Sequence, residues 1–176
     1  MNEIFARTMD LSSGGAYNYV REDHRKELVC PVNNKEEFKV INKVQIRVRY
    51  EETDRMGFVY YGNYFTWFEV GRTELFRSLG LPYKIFEERG IMLPVTEAES
   101  RYKRPAGYDD LLLLETSVSR LSGARIQFEY RLLAQNGSVI ALGSTGHAFV
   151  DGSGRPVNLS KRDPELWKMV SNLRDK

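Results

Sequence analysis

The chain's 176 residues fall in the range of a single core, and 41% hydrophobic with 28% charged residues exclude a disordered or collagen-like polymer. Lys plus Arg (26) and Asp plus Glu (24) are interleaved and leave a net charge of +2, so the basic stripe that a nucleic-acid backbone demands is missing. No apolar run exceeds four residues, as in Leu111 to Leu114, against the roughly 18 to 20 that span a bilayer, so no integral membrane segment is expected.

The N-terminus reads Met-Asn-Glu-Ile-Phe-Ala-Arg-Thr, acidic at once and without an apolar h-region, which predicts a cytoplasmic protein. A lone cysteine, Cys30, and two distant histidines, His24 and His147, offer neither a disulfide nor metal-ligand spacing, so neither metal nor cofactor is expected. Residues 1–40 carry six basic and seven acidic residues and no sustained periodicity, the pattern of an extension outside the main core.

From Val44 the sequence sharpens. Val44, Ile46, Val48 and Tyr50 alternate with Gln45, Arg47 and Arg49, predicting a half-buried strand over 43–51. After a turn around Asp54 to Gly57, the residues Tyr64, Phe68, Gly71, Leu75 and Leu79 recur at helical spacing, with Asn63 as candidate N-cap and Gly80 as a stop. Strands follow at 93–105, 110–121, 124–135 and 138–150, the clearest being Ile126, Phe128, Tyr130 and Leu132 in alternation. Asn136-Gly137 predicts a tight hairpin with positive φ at both positions. Asp163-Pro164 supplies a cap and a first-turn proline for a C-terminal helix bearing Leu166, Trp167, Val170 and Leu173.

One long helix against a mostly antiparallel sheet is an α+β layer arrangement. A single helix covers a sheet incompletely, so apolar residues on edge segments, the Leu111 to Leu114 run among them, would stay exposed unless a second copy packs there; a homo-oligomer follows.

Chemistry concentrates in Thr53 to Tyr64, where the carboxylate of Asp54 lies seven residues ahead of Tyr61, at the helix start. Free N–H groups at a helix N-terminus, backed by the helix dipole, suit developing oxyanion charge, and a nearby carboxylate can attack or deprotonate water. Acyl transfer needs that pairing.

The run Tyr50-Glu51-Glu52-Thr53-Asp54, with Gly57 to Tyr64 and Phe68-Glu69-Val70-Gly71-Arg72, closely resembles the 4-hydroxybenzoyl-CoA thioesterase family of hot-dog proteins, including its bacterial acyl-CoA thioesterase branch. Tyr102 to Leu111 resembles the family's second strand and Pro-Ala turn, and the likeness covers residues 43–150. It implies a five-stranded antiparallel sheet wrapped around the helix and assembly as a homodimer or homotetramer. The division that follows is an extension over 1–40, a hot-dog domain over 41–156 and a helical segment over 157–176.

By position, the resemblance carries the catalytic carboxylate onto Asp54 and the donor to the thioester oxygen onto the main chain of Tyr61, with Gly62 beside it at the substrate. Many acyl-CoA members have His where Tyr61 stands, so a His-assisted step at that position is excluded. Glu69 falls on a pocket acid that reaches the neighbouring protomer's site. Arg120, Ser122, Gly123 and Arg125 fall on the turn that holds the nucleotide phosphates of CoA, with the two arginines as charge-assisted partners.

Each residue also has an ordinary reading. Asp54 could be a turn residue, Glu69 and Arg72 a surface ion pair at i and i+3, Tyr60 to Phe68 core aromatics, and His147 a packed histidine. The resulting expectation is hydrolysis of an acyl-CoA to free acid and CoA, Asp54 acting as nucleophile or general base. The alternatives are acyl-CoA binding without cleavage, or hydrolysis of acyl carrier protein thioesters. A hot-dog dehydratase is disfavoured because neither histidine sits beside an acid.

Overall fold

The computed structural model describes residues 42–173; the extension over 1–40, with His24 and Cys30, lies outside the described residues. Strand β1 spans Asn42–Arg47 and pairs antiparallel with β4 (Leu111–Leu121) from Asn42↔Thr116 to Arg47↔Leu111. It is shorter than the alternation over 43–51 predicts. Beyond Arg47 the chain turns into a 3-10 turn at Tyr50–Glu52, because the side chain of Glu52 accepts the Arg49 N–H (2.7 Å). A local side-chain acceptor has displaced a ladder hydrogen bond.

Helix α1 covers Asn63–Ser78 and ends as expected, with Gly80 at φ +73° beyond it. Its start differs from expectation. Gly62 occupies the cap position in helical conformation, and Asn63 donates through Nδ2 to the Glu52 carbonyl (2.8 Å) instead of capping. A second short helix, α2 (Tyr83–Glu88), has no counterpart in the sequence reading; six residues are too few for a periodic stripe to show.

The sheet is completed by β3 (Val95–Tyr102), β5 (Arg125–Ala134) and β6 (Val139–Ala148), in the order β1-β4-β5-β6-β3, every pairing antiparallel. The Leu111–Leu114 run therefore lies in an interior strand, with Leu112 and Leu114 buried, and does not form the exposed edge expected of it. The edges are β1 and β3. At the β5–β6 turn only Gly137 takes positive φ (+78°), so the turn is not the doubly positive type. Its N–H donates to the Ala134 carbonyl (2.9 Å), and the register slips between Leu132 and Leu133.

Helix and sheet meet through side chains that alternate as predicted: Ile126, Phe128, Tyr130 and Leu132 are all buried. Phe68 stacks on Tyr130 (centroids 4.5 Å) and Phe76 meets Phe128 edge-on at 5.7 Å. Two glycines set the approach. A Cβ on Gly71 would lie 2.5 Å from Thr116 Oγ1, and one on Gly143 would lie 2.3 Å from the Phe68 ring.

A two-stranded ribbon of β2 (Ile91–Met92) and β7 (Val150–Asp151) leads to α3 (Leu159–Arg162) and α4 (Pro164–Ser171). Asp163 caps α4 by accepting the Leu166 N–H (2.9 Å), as the Asp-Pro pair predicts, and Arg89 ties α4 to α2 through Asp163 and Glu165. Leu166, Val170 and Leu173 are buried. Among the described residues no helix is long and apolar enough to cross a membrane.

Candidate active site

Residues 53–59 fold back on themselves. Thr53 bridges to Val59, the Asp54 N–H donates to the Phe58 carbonyl (2.8 Å), and the Gly57 N–H donates to the Asp54 carbonyl (2.9 Å). Gly57 takes φ +79°, which a side chain would strain. Asp54 Oδ1 accepts the Met56 N–H (2.8 Å). Asp54 thus fills the turn role: one carboxylate oxygen is spent on the turn, while Oδ2 meets no donor among the described residues of this half-buried site.

At the other end of the hairpin the N–H groups of Tyr61 and Gly62 meet no acceptor among the described residues, at the positive end of a 16-residue helix. The Tyr61 side chain is exposed and lies 4.4 Å from the Tyr60 ring, while its carbonyl accepts the Tyr102 hydroxyl (3.1 Å). Tyr102 in turn sits edge-on to Tyr64 (4.8 Å), whose phenol is pushed up to about 12 by burial and, secondarily, by Tyr102. Gly62 packs under the Tyr60 ring, 2.9 Å from where a Cβ would stand.

Glu69 is exposed and Arg72 half-buried on α1, and the ion pair allowed by their spacing does not form; neither has a charged partner among the described residues. The Ser122–Arg125 turn is closed on itself. Ser122 donates its N–H to the Arg125 carbonyl (2.8 Å) and accepts the Arg125 N–H on Oγ (3.1 Å). Gly123 accepts the Leu159 N–H through its carbonyl, and a Cβ there would lie 2.4 Å from Asn158 Oδ1. Arg120 and Arg125 are exposed, and an open cleft beside the turn has Val118, Ser119, Arg120 and Leu121 among its walls.

Asp54 lies at the tip of the hairpin, paired with Phe58, and Tyr61 and Gly62 follow the Glu52–Tyr60 pairing at its base, whereas the phosphate-turn candidates lie elsewhere. The hairpin is held at the Leu111 end of β4, through Val59 N–H to Ala106 and Val48 N–H to the Asp110 carbonyl (3.0 Å). The turn follows Leu121, at the far end, ~30 Å along the strand at about 3.3 Å per residue.

Two residues that sequence reasoning passed over belong to this neighbourhood. Tyr102 is one; its hydroxyl's target lies 41 residues away in sequence, beyond the reach of any periodicity. Glu52 is the other, a buried carboxylate two residues before Asp54, signalled only by the acidic pair Glu51-Glu52.

His147 lies outside the hairpin. It is buried, its Nδ1–H donates to the Leu93 carbonyl (3.1 Å), and Nε2 accepts the Thr145 hydroxyl (2.9 Å), which itself accepts from Tyr130 (2.7 Å). Burial, with the nearby charge of Arg72, pushes the histidine down to about 4 against the favourable Leu93 carbonyl, so it stays neutral. Among the described residues no group of three His, Cys, Asp or Glu side chains could hold a metal ion.

Comparison with known proteins places the chain as a whole. The family described as "Thioesterase-like superfamily" matches residues 48–170. YneP of Bacillus subtilis is 34% identical over 71% of this chain and 91% of its own length. The acyl-CoA thioesterase YbgC of Haemophilus influenzae is 38% identical over 66% of this chain and 86% of its own. Among solved structures, the DHNA-CoA thioesterase from Staphylococcus aureus superposes with a TM-score of 0.72 at 32% identity, covering 76% of this chain and 90% of that one. The five-stranded sheet around α1 is the hot-dog arrangement.

Proposed function

The chain belongs to the thioesterase-like superfamily, and from that premise we propose that it hydrolyses acyl-CoA thioesters with Asp54 and the start of α1 as its machinery. Similarity to proteins named acyl-CoA thioesterases supports the reaction class. The observation that supports the residues is the pair of unspent groups on one hairpin: donors at Tyr61 and Gly62, and Asp54 Oδ2.

In this reading the thioester oxygen takes hydrogen bonds from the helix-start N–H groups, which cost no reorganisation because they are already oriented and unshared. Asp54 either attacks the carbonyl carbon, giving an anhydride that water then opens, or removes a proton from the attacking water. Either route forms a new acyl C–O bond, breaks the C–S bond and returns the proton to the CoA thiolate. Glu69, exposed on the same helix and without a charged partner among the described residues, is available to a substrate or to a neighbouring copy.

Arg120, Ser122, Gly123 and Arg125 serve the CoA phosphates only if a second copy brings its turn to this hairpin, since within one chain the two lie at opposite ends of β4. That distance favours a homo-oligomer in place of the exposed-leucine argument. Light scattering of the eluted protein tests it, and a monomer at micromolar concentration would remove the turn from the site.

Asp54→Asn tests the assignment: thiol release from acyl-CoA should fall at least about 100-fold while the fold persists. Unchanged turnover would sink it. Acyl-CoA binding without thiol release by the unaltered protein would favour the binding-only alternative, and a panel of alkyl, aryl and carrier-protein thioesters sets the acyl group.

A further inference from the structure

Glu52 joins the two halves of the hairpin to the helix. Its carboxyl group is buried, 5% exposed as a residue, and its Oε1 accepts the Trp67 indole N–H (3.0 Å) from the second turn of α1 and a guanidinium N–H of Arg49 (3.2 Å). Its Oε2 accepts the Arg49 N–H (2.7 Å), and its main-chain carbonyl accepts both the Tyr60 N–H (2.9 Å) and Asn63 Nδ2 (2.8 Å). Glu52 therefore holds helix residue 67 through its side chain and residues 60 and 63 through its main chain, while Asp54 stands two residues away along the same backbone.

A buried carboxylate with this many donors is costly to misplace, since each donor would be left without an acceptor. We infer that Glu52 is a positioning residue: it fixes the distance between the Asp54 carboxylate and the N–H groups of Tyr61 and Gly62, and touches no reacting atom itself. The inference rests on the hydrolase reading above. Without the Glu52 side chain the segment 49–54 loses its tie to Trp67 in the second turn of α1 and keeps, among the described residues, the main-chain bonds of residue 52 to Tyr60 and Asn63, the Thr53–Val59 bridge and turn contacts; a displacement of about 1 Å in such a site costs on the order of 100-fold in rate.

The test uses the full chain with Glu52→Gln, Trp67→Phe and Asp54→Asn side by side. Gln keeps the shape, but its amide NH2 must face one of the donors Glu52 now serves. Glu52→Gln should lower kcat about 10- to 100-fold with KM within about threefold, and should leave the midpoint of the kcat–pH profile in place. The Trp67 indole N–H resonance should move upfield as its charge-assisted acceptor is lost. Trp67→Phe removes one donor and should lower kcat about three- to tenfold.

A folded Glu52→Gln with kcat within twofold of the parent overturns the inference, as does an effect confined to KM. A shifted pH midpoint also overturns it, because Glu52 would then share in proton transfer. Should Glu52→Gln fail to fold, Trp67→Phe decides, and an unchanged kcat there overturns the inference as well. If Asp54→Asn is inactive while Glu52→Gln is unaffected, positioning fails and the hydrolase assignment stands; if Asp54→Asn remains fully active, the assignment fails and takes positioning with it.

Discussion

The two ends of β4 carry opposite kinds of loop. At its Leu111 end the 53–62 segment leaves polar groups without partners among the described residues: the N–H groups of Tyr61 and Gly62 and one oxygen of Asp54. At its Leu121 end the 122–125 turn consumes its own polarity. Ser122 closes on Arg125, and the carbonyls of Gly123 and Ala124 take the N–H groups of Leu159 and Phe149. Unspent donors on the same hairpin as a carboxylate suit chemistry, whereas a closed turn flanked by exposed arginines offers charge. Membership in a fold family would not distinguish these two loops, but the state of each loop's hydrogen bonds does.

The contrast breaks most directly at Asp54. Replacing it with Asn keeps the Oδ1 turn bond to Met56 available, so stability should change little while kcat drops by at least about 100-fold, read by thiol release and a parallel melting curve.

At the closed end, His147 pairs with Ile126 across β5 and β6, and its protonation is held near 4 against an ordinary 6.5. A base whose folded value is depressed contributes stability that is present above pH 6.5 and lost as the pH falls toward 4. The loss should approach about 3 kcal/mol by pH 4, seen as a falling urea midpoint, and His147→Gln should flatten that part of the profile.

Gly123→Ala places a Cβ against Asn158 and should cost about 1–3 kcal/mol in stability with kcat unchanged below the melting range. Arg125→Ala should raise KM for acyl-CoA by several-fold at low salt, shrinking as ionic strength rises, with kcat constant. Smallest of all, Tyr61→Phe should leave kcat within about threefold, because the hairpin offers its main chain and not its phenol; a large loss would shift the chemistry onto the side chain.

Much of the architecture was legible because it rests on periodic burial. The stripe from Tyr64 to Leu79 and the alternation from Ile126 to Leu132 each record one face of one element, and Asp163-Pro164 records a cap. Local signals misled where a distant partner competed. Asn63 looked like a cap but spends its amide on Glu52, and the alternation after Arg47 was cut short by the Glu52 carboxylate. Leu111 to Leu114 looked like an edge because strand order, which places β4 between β1 and β5, is not written in any one strand. Asp54 and Tyr61 could be named from the run around them, but the tie between Glu52 and Trp67 spans 15 residues and two kinds of element.

The seat of Phe68 over Gly143, with Gly71 pressed on Leu114 and Thr116, prevents α1 from rolling about its own axis. A helix keyed in this way cannot shift to admit a bulkier guest without moving the sheet as well. Differences in acyl size must then be absorbed by the surrounding loops, and engineering a wider substrate range would begin there while the spine of the molecule is left alone.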